Sequence, residues 1–218
     1  MVNEQVAAVI PAFNESASIA AVVAGVKEHA TPIVVSDGSK DATADLARSA
    51  GAVVVEHPEN LGYERALATG FSKANEMGFR FVVTVDADGQ HQPNMVGEFA
   101  HRLRAGFDLV LGRRDRMQRF AERVFAIVGR WRWGIRDPLC GMKGYAIRRV
   151  ICAERRYPFD SVGTKYAIHA VEDGAKAVEI EVLTLPRSGR SRFGSSASAN
   201  IKIMKAMCRL LTTGRAAR

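Results

Sequence analysis

Residues 82–91 read Val82-Val-Thr-Val-Asp-Ala-Asp-Gly-Gln-His91. A strand-forming run passes directly into Asp86 and Asp88, which are separated by a single alanine, and a glycine follows. Carboxylates at the end of a core strand are costly to desolvate, so this end of the strand needs a reason for them: a cation, a ligand or a turn. The chain before it is built in the same way. Residues 6–11, 32–35, 52–56 and 81–85 are short apolar runs, while 16–29, 42–50 and 62–77 have helical spacing, the last closed by Gly78. Apolar strands alternating with helices predict an α/β protein, with a mostly parallel central sheet covered by helices on both faces.

Ligands of such sheets bind beyond the carboxyl ends of the strands. Asn14-Glu15, Asp37-Gly38-Ser39 and Asp86-Ala87-Asp88 fall at those ends, which predicts one acid-lined crevice fed from three strands. The first turn, Pro11-Ala12-Phe13-Asn14-Glu15, contains neither G-x-G-x-x-G nor G-x-x-x-x-G-K-[ST]. A dinucleotide fold and a P-loop are therefore not expected. Without a nest of glycine amides, the charge of a nucleoside diphosphate must be met by a metal or by arginines. Two carboxylates at D-x-D spacing are oxygen ligands suited to Mg²⁺ or Mn²⁺.

Composition is that of an ordinary soluble domain, with 47% hydrophobic and 25% charged residues among 218. Cys140, Cys152 and Cys208 are scattered without C-x-x-C spacing, which points to a reducing compartment and away from a disulfide framework or zinc site. The N-terminus carries acids and a proline where a secretory signal would be basic and then apolar, and the charge-free stretch 16–26 is too short to span a bilayer. A cytoplasmic location, if anything peripheral at the inner face of a membrane, is the expectation. Charge is divided unequally. Residues 1–100 hold 6 Lys+Arg against 13 Asp+Glu, and residues 101–218 hold 25 against 10. The second half is thus expected to meet something anionic, unless it is simply a solvated arginine-rich surface.

VIPAFNE (9–15), VVSDGSKDAT (34–43), NLGYERALATGF (60–71) and VDADGQHQP (85–93), in this order, resemble the inverting glycosyltransferases of family 2, which have the GT-A fold. LVLGRR (109–114), DPLCGMKGYAIRR (137–149), YPFD (157–160) and LPRSGRSRFG (185–194) are similar to segments of the polyprenyl-phosphate, dolichol-phosphate mannose synthase-like branch. A lone D-x-D is common by chance, whereas the ordered set of segments is specific. The resemblance spans roughly residues 6–196. It implies one GT-A catalytic domain over 1–196, with a nucleotide-sugar half (1–114) and an acceptor half (115–196), followed by a basic amphipathic tail over 197–218.

Carried over residue by residue, the resemblance implies a nucleoside pocket of Pro11, Ala12, Phe13 and Glu15, with Asp37 holding the base and Ser39 shaping the turn. Asp86 would touch the ribose side and the metal's water shell, Asp88 would ligate Mg²⁺ or Mn²⁺, and Gln90 would add an oxygen ligand. Arg113 and the loop residues Arg187, Arg190 and Arg192 would pair with the diphosphate or an acceptor phosphate, for which guanidinium forks are suited. Asp160 or Asp137 would serve as base toward a hydroxyl acceptor. Each has a plainer structural reading. Glu15 can cap the next helix, Asp37-Gly38-Ser39 can be a turn and N-cap, and His91 can be an ordinary loop histidine.

The pattern departs from the family at Ser36, where an acid is usual, at Tyr63, where a lysine is common, and at Val162, where an acid is common. These departures leave the donor nucleotide, UDP- or GDP-linked, and the acceptor open. Near Gly141–Tyr145 there is no Glu-Asp pair typical of hydroxyl-acceptor members, which favours a lipid phosphate over a glycan hydroxyl as acceptor. Trp131 and Trp133, flanked by arginines, are expected to anchor at an interface rather than pack in the core. Ile201, Ile203, Met204, Met207, Leu210 and Leu211 recur at helical spacing among cations, fitting either a membrane-surface helix or one packed on the core or on a second subunit. The rival classes are a metal-dependent nucleotidyltransferase, which would want a glycine-rich first turn, and a basic nucleic-acid-binding module, for which only the 130–133 cluster argues.

Overall fold

The computed structural model describes residues 6–117, 119–154, 164–184 and 196–213. Among these residues seven strands form one sheet in the order β3-β2-β1-β4-β6-β5-β7. They are β1 (Val6–Ala12), β2 (Thr31–Asp37), β3 (Val53–His57), β4 (Phe81–Thr84), β5 (Leu109–Arg114), β6 (Lys143–Ala146) and β7 (Ala177–Val182). All neighbours are parallel except β6, which runs antiparallel to both β4 and β5. Among the described residues eight helices cover the sheet: α1 (Ile19–Lys27), α2 (Thr43–Ser49), α3 (Tyr63–Glu76), α4 (Met95–Arg104), α5 (Phe120–Trp133), α6 (Ile147–Glu154), α7 (Lys165–Glu172) and α8 (Ser196–Thr213).

The period of two along β1 shows how the layers are held. Val6, Ala8 and Ile10 point into one apolar layer with Val22 and Val26 of α1, Ala47 of α2 and Phe99 of α4. Ala7 and Val9 point into the other, with Phe71 of α3, Phe125 of α5 and Ile168 of α7. A strand apolar on both faces belongs in a sheet covered on both sides. Each buried Val, Ile or Phe among them contributes roughly 1.5–3 kcal/mol on burial.

The segment expected as a tail is, in its described part, the helix α8. Its apolar face is taken up by the protein, since Ile203, Met207 and Leu210 are buried in the layer that contains Phe125. Of the two tryptophans, Trp133 is core, 7% exposed and donating from Nε1 to Glu172 at 2.9 Å, whereas Trp131 is 85% exposed. The expectation that both anchor at an interface is corrected for Trp133, which packs in the core. Two positions apart on a helix is 200°, so the two rings cannot share a face.

Candidate active site

The carboxyl ends of β1, β2, β4 and β5 and the amino end of antiparallel β6 meet at one edge of the sheet. Pro11 and Ala12 end β1 fully buried, and Phe13 is half-buried just beyond them. The loops after β1 and β2 are laced together. Asn14, at φ 53°, donates its N–H to Ser39 Oγ at 3.1 Å and accepts from the Lys40 N–H at 2.8 Å. The Glu15 N–H donates to Thr43 Oγ1 at 2.8 Å, and that of Ser16 to Asp41 Oδ2 at 3.2 Å. Burial pushes the Asp41 carboxyl up, but hydrogen bonds from Thr43 and Ser16 outweigh it and hold the group below its usual range. Ser39 and Glu15 therefore sit in the joined loops beyond β1 and β2, with Asp41 and Thr43 as supports that the sequence reading did not single out.

Asp37 is 3% exposed and already engaged. Its Oδ1 accepts from the Leu61 N–H at 2.9 Å and lies 2.7 Å from His57 Nδ1, and its Oδ2 accepts from the Gly62 N–H at 2.8 Å. His57 Nε2 lies 2.9 Å from Thr69 Oγ1 on α3. This carboxylate fastens the 57–62 loop to the end of β2. Gly38, at φ 68°, allows the approach, because a Cβ there would overlap the backbone of Glu59 and Asn60. The structure thus shows Asp37 holding a loop, a task that the sequence reading did not assign to it.

The acid pair follows β4. Ala87 between the two acids is buried, and its carbonyl accepts from Ser18 Oγ at 2.7 Å, which ties the start of α1 to the triplet. Asp88 is 7% exposed, and its Oδ1 accepts from the Gln90 N–H at 3.1 Å. Asp86, more open, accepts at Oδ1 from the Tyr63 hydroxyl at 3.1 Å. Burial, and then the charge of Asp86, push the Tyr63 phenol well above its ordinary value, so it remains a donor. On the other side, His91 is 4% exposed, with Nδ1 3.7 Å from Asp86 Oδ2 and without a hydrogen-bond partner among the described residues. Gly141 closes the third side, since a Cβ there would overlap the Asp86 carboxylate. Gly141 is held in place by Thr84, whose Oγ1 donates to its carbonyl at 2.7 Å.

Sequence reading noted Tyr63 only as a departure and left His91 as a loop histidine. The contact of Tyr63 with Asp86 depends on packing between segments 23 residues apart, which no local pattern displays. Lys143, buried at the start of β6, donates to the Cys140 carbonyl, and its burial lowers its pKa.

The arginine-bearing end of β5 divides in two. Arg113 points to β7, donating to Glu181 Oε2 at 2.8 Å, and remains partly exposed. Arg114 turns inward, donating to both oxygens of Asp137 at 2.8 and 2.9 Å, with Glu122 at 3.6 Å. Asp137 is 2% exposed; burial alone would raise its pKa, but the Arg114 guanidinium holds it below the carboxylate range. Asp137 is thereby corrected from candidate base to structural ion-pair partner, a form that cannot usefully take a proton. Asp160, Arg187, Arg190 and Arg192 lie outside the described residues.

Among the described residues no three His, Cys, Asp or Glu side chains gather into a cage that could hold a metal alone. What is present suits a hard cation that completes its shell with water and substrate phosphate. Asp86 and Asp88 follow one strand end, and Gln90 stands next to them.

Residues 7–131, from β1 nearly to the end of α5, match the family model described as "Glycosyl transferase family 2". The chain belongs to that family. The resemblance in the sequence motifs is thus borne out, and nucleotidyltransferase and nucleic-acid-binding readings give way to it. This family 2 glycosyltransferase is 29% identical over 216 residues to an uncharacterised glycosyltransferase of Mycobacterium tuberculosis, covering 92% of this chain and 95% of that one. It is 28% identical over 234 residues to the undecaprenyl-phosphate 4-deoxy-4-formamido-L-arabinose transferase of Serratia proteamaculans, covering 96% and 67%. In fold, it is similar to the glucosyl-3-phosphoglycerate synthase of Mycobacterium tuberculosis, crystallised with Mn²⁺, UDP and glucosyl-3-phosphoglycerate. The TM-score is 0.74 at 19% identity, over 94% of this chain and 80% of that one.

Proposed function

We propose that this glycosyltransferase moves a sugar from a nucleoside-diphosphate donor, UDP- or GDP-linked, onto a lipid phosphate, with inversion at the anomeric carbon. The observation that carries the reading is the acid pair at the end of β4, braced by Tyr63, Ser18 and Gly141 at the crevice of a family 2 fold. Asp88 and Gln90, with Asp86, would hold Mg²⁺ or Mn²⁺, which when bound supplies Lewis-acid stabilisation to the departing diphosphate. Pro11, Ala12, Phe13 and Glu15 line the side where the nucleoside would lie. Thr184, the residue before the arginine-bearing segment 185–194, pairs with His91 across an isolated bridge. Arg187, Arg190 and Arg192 follow Thr184 in the sequence, and a phosphate is the group that their guanidiniums would pair with.

Acceptor chemistry follows from the acids. An ionised phosphate oxygen attacks without a base, whereas a sugar hydroxyl needs a carboxylate in reach. Asp137, one of two candidates for that task, is committed to Arg114, which leaves Asp160 for the hydroxyl reading. The relatives named for undecaprenyl phosphate agree with the phosphate reading. Among the described residues no helix is long and apolar enough to cross a membrane.

The test is a thermal-shift panel of UDP- and GDP-sugars with and without Mn²⁺, followed by transfer assays to a short polyprenyl phosphate and to a free glycan. A shift that requires Mn²⁺ and is lost in Asp88→Ala, with transfer to the phosphate alone, is expected. Absence of any metal-dependent shift would remove the donor reading, and transfer to the glycan would replace the acceptor.

A further inference from the structure

Helix α5 is apolar on two opposite faces. Ala121, Phe125, Gly129 and Trp133 are buried against the body of the protein. At 100° per residue, Phe120, Ile127 and Trp131 project from the opposite side, and they are 73%, 71% and 85% exposed. A surface helix ordinarily presents polar groups there. The exposed residues of α5 are these three large apolar side chains together with Arg123, Arg130 and Arg132. Its one acid, Glu122, is 4% exposed and ion-paired with Arg114 and Arg119. The outer face therefore offers hydrocarbon and positive charge only, along about 16 Å of helix.

Helix α8 extends this surface. The Ala121 N–H donates to Asn200 Oδ1 at 3.2 Å, so the two helices start side by side. Ile201 is 56% exposed next to that contact, and Lys202 and Lys205 are exposed beyond it. The Arg114–Glu122 pair at 3.6 Å fixes the first turn of α5 to the end of β5, so the helix starts on the side of the sheet where the crevice lies.

We propose that the outer face of α5, extended by the start of α8, is a docking surface for an anionic lipid bilayer. Trp131, Ile127 and Phe120 would enter the headgroup region while Arg123 and Arg130 stay at the phosphates. A second copy of the chain fits less well, because a two-fold contact through this stripe brings the arginines of both copies together with no exposed acid of α5 to meet them. The proposal deepens the lipid-phosphate reading by naming the surface that presents the enzyme to its acceptor. The existence of the docking surface does not depend on that chemistry.

The experiment is co-sedimentation of the full chain with vesicles of phosphatidylcholine, with or without phosphatidylglycerol, containing neither donor nor polyprenyl phosphate. Binding to the anionic vesicles, weakened by salt, is expected. Ile127→Ser/Trp131→Ser should reduce it by at least about tenfold. Arg123→Gln/Arg130→Gln, which leaves the apolar stripe and the core intact, should reduce it by about fivefold per arginine. The chain has two tryptophans, and Trp133 is buried, so vesicles should shift the emission of Trp131 to the blue, and Trp131→Phe should abolish the shift. No binding to anionic vesicles, or binding by both double variants that equals that of the native chain, overturns the proposal. So does a dimer in sedimentation that the Ile127/Trp131 variant alone dissolves. Since these vesicles lack substrate, such a failure leaves the donor and acceptor assays to stand or fall separately.

Discussion

The Tyr63 hydroxyl donates to Asp86 Oδ1 at 3.1 Å, which joins the first residue of α3 to the first acid after β4. The phenol is kept protonated by burial and by the acid's own charge. A donor of this kind fixes the carboxylate's orientation without neutralising it. A hydrogen bond to a charged acceptor contributes about 1.5–3 kcal/mol. Tyr63→Phe keeps the ring and removes only this bond, so kcat should fall about tenfold while the half-saturating Mn²⁺ concentration rises. Unchanged metal dependence alongside unchanged kcat would show the bond to be incidental to the site.

Gly141 makes a second demand on the same acid. The Asp86 carboxylate occupies the space that a Cβ at 141 would take. Gly141→Ala must rotate Asp86 or move the loop before β6. Overpacking of this kind costs about 1–3 kcal/mol. Transfer should drop by more than tenfold, well beyond what a modest fall in Tm explains. A variant with native turnover would mean that Asp86 can turn aside without consequence.

Asp37 is a different case, because its task is to hold a loop. Asn at 37 retains one acceptor, but its amide would face the N–H of Leu61 or Gly62, each of which now donates to a carboxylate oxygen. Leaving a buried donor unmet costs about 1–3 kcal/mol. Since Tyr63 follows Gly62 directly, the disturbance should reach Asp86. Asp37→Asn is therefore expected to lower Tm and turnover together, with faster amide exchange at 61–62. A loss of nucleotide affinity at unaltered Tm would instead return Asp37 to base recognition.

Much of this architecture could be read from the residues, for reasons that also mark where reading stopped. β1 to β4 and the helices between them carry continuous apolar runs and glycine or polar breaks, so both the elements and the strand ends that bear acids were legible. β6 was not, because Lys-Gly-Tyr-Ala has little strand character and is defined by its antiparallel partners β4 and β5. Asp137 and Asp88 look alike in sequence. One is bound by an arginine from another strand, and only tertiary contact distinguishes them. The separation of Trp131 from Trp133, by contrast, was available from helical phase. The apolar pattern of α8 was equally visible, but not which partner it would cover.

Asp108 supplies a prediction in pH. Its carboxylate ends the loop before β5 and accepts from Arg149 at 3.0 Å and Arg148 at 2.9 Å, on α6, and from the Lys176 N–H at 3.2 Å. The Arg149 hydrogen bond, opposed by burial and aided by Arg148, lowers its pKa from 3.8 to about 2. A depressed folded-state pKa means that the unfolded chain binds the proton more readily. The contribution of Asp108 is thus complete above about pH 4 and lost as pH falls toward 2. Asp108→Asn removes the titrating group, so it should lower Tm at neutral pH, and the gap from the native chain should narrow across that acid window. Thermal melts of both proteins from pH 7 down to pH 2 test this, and a gap that stays constant through the window would show that the Asp108–arginine cluster does not carry the expected share of acid sensitivity.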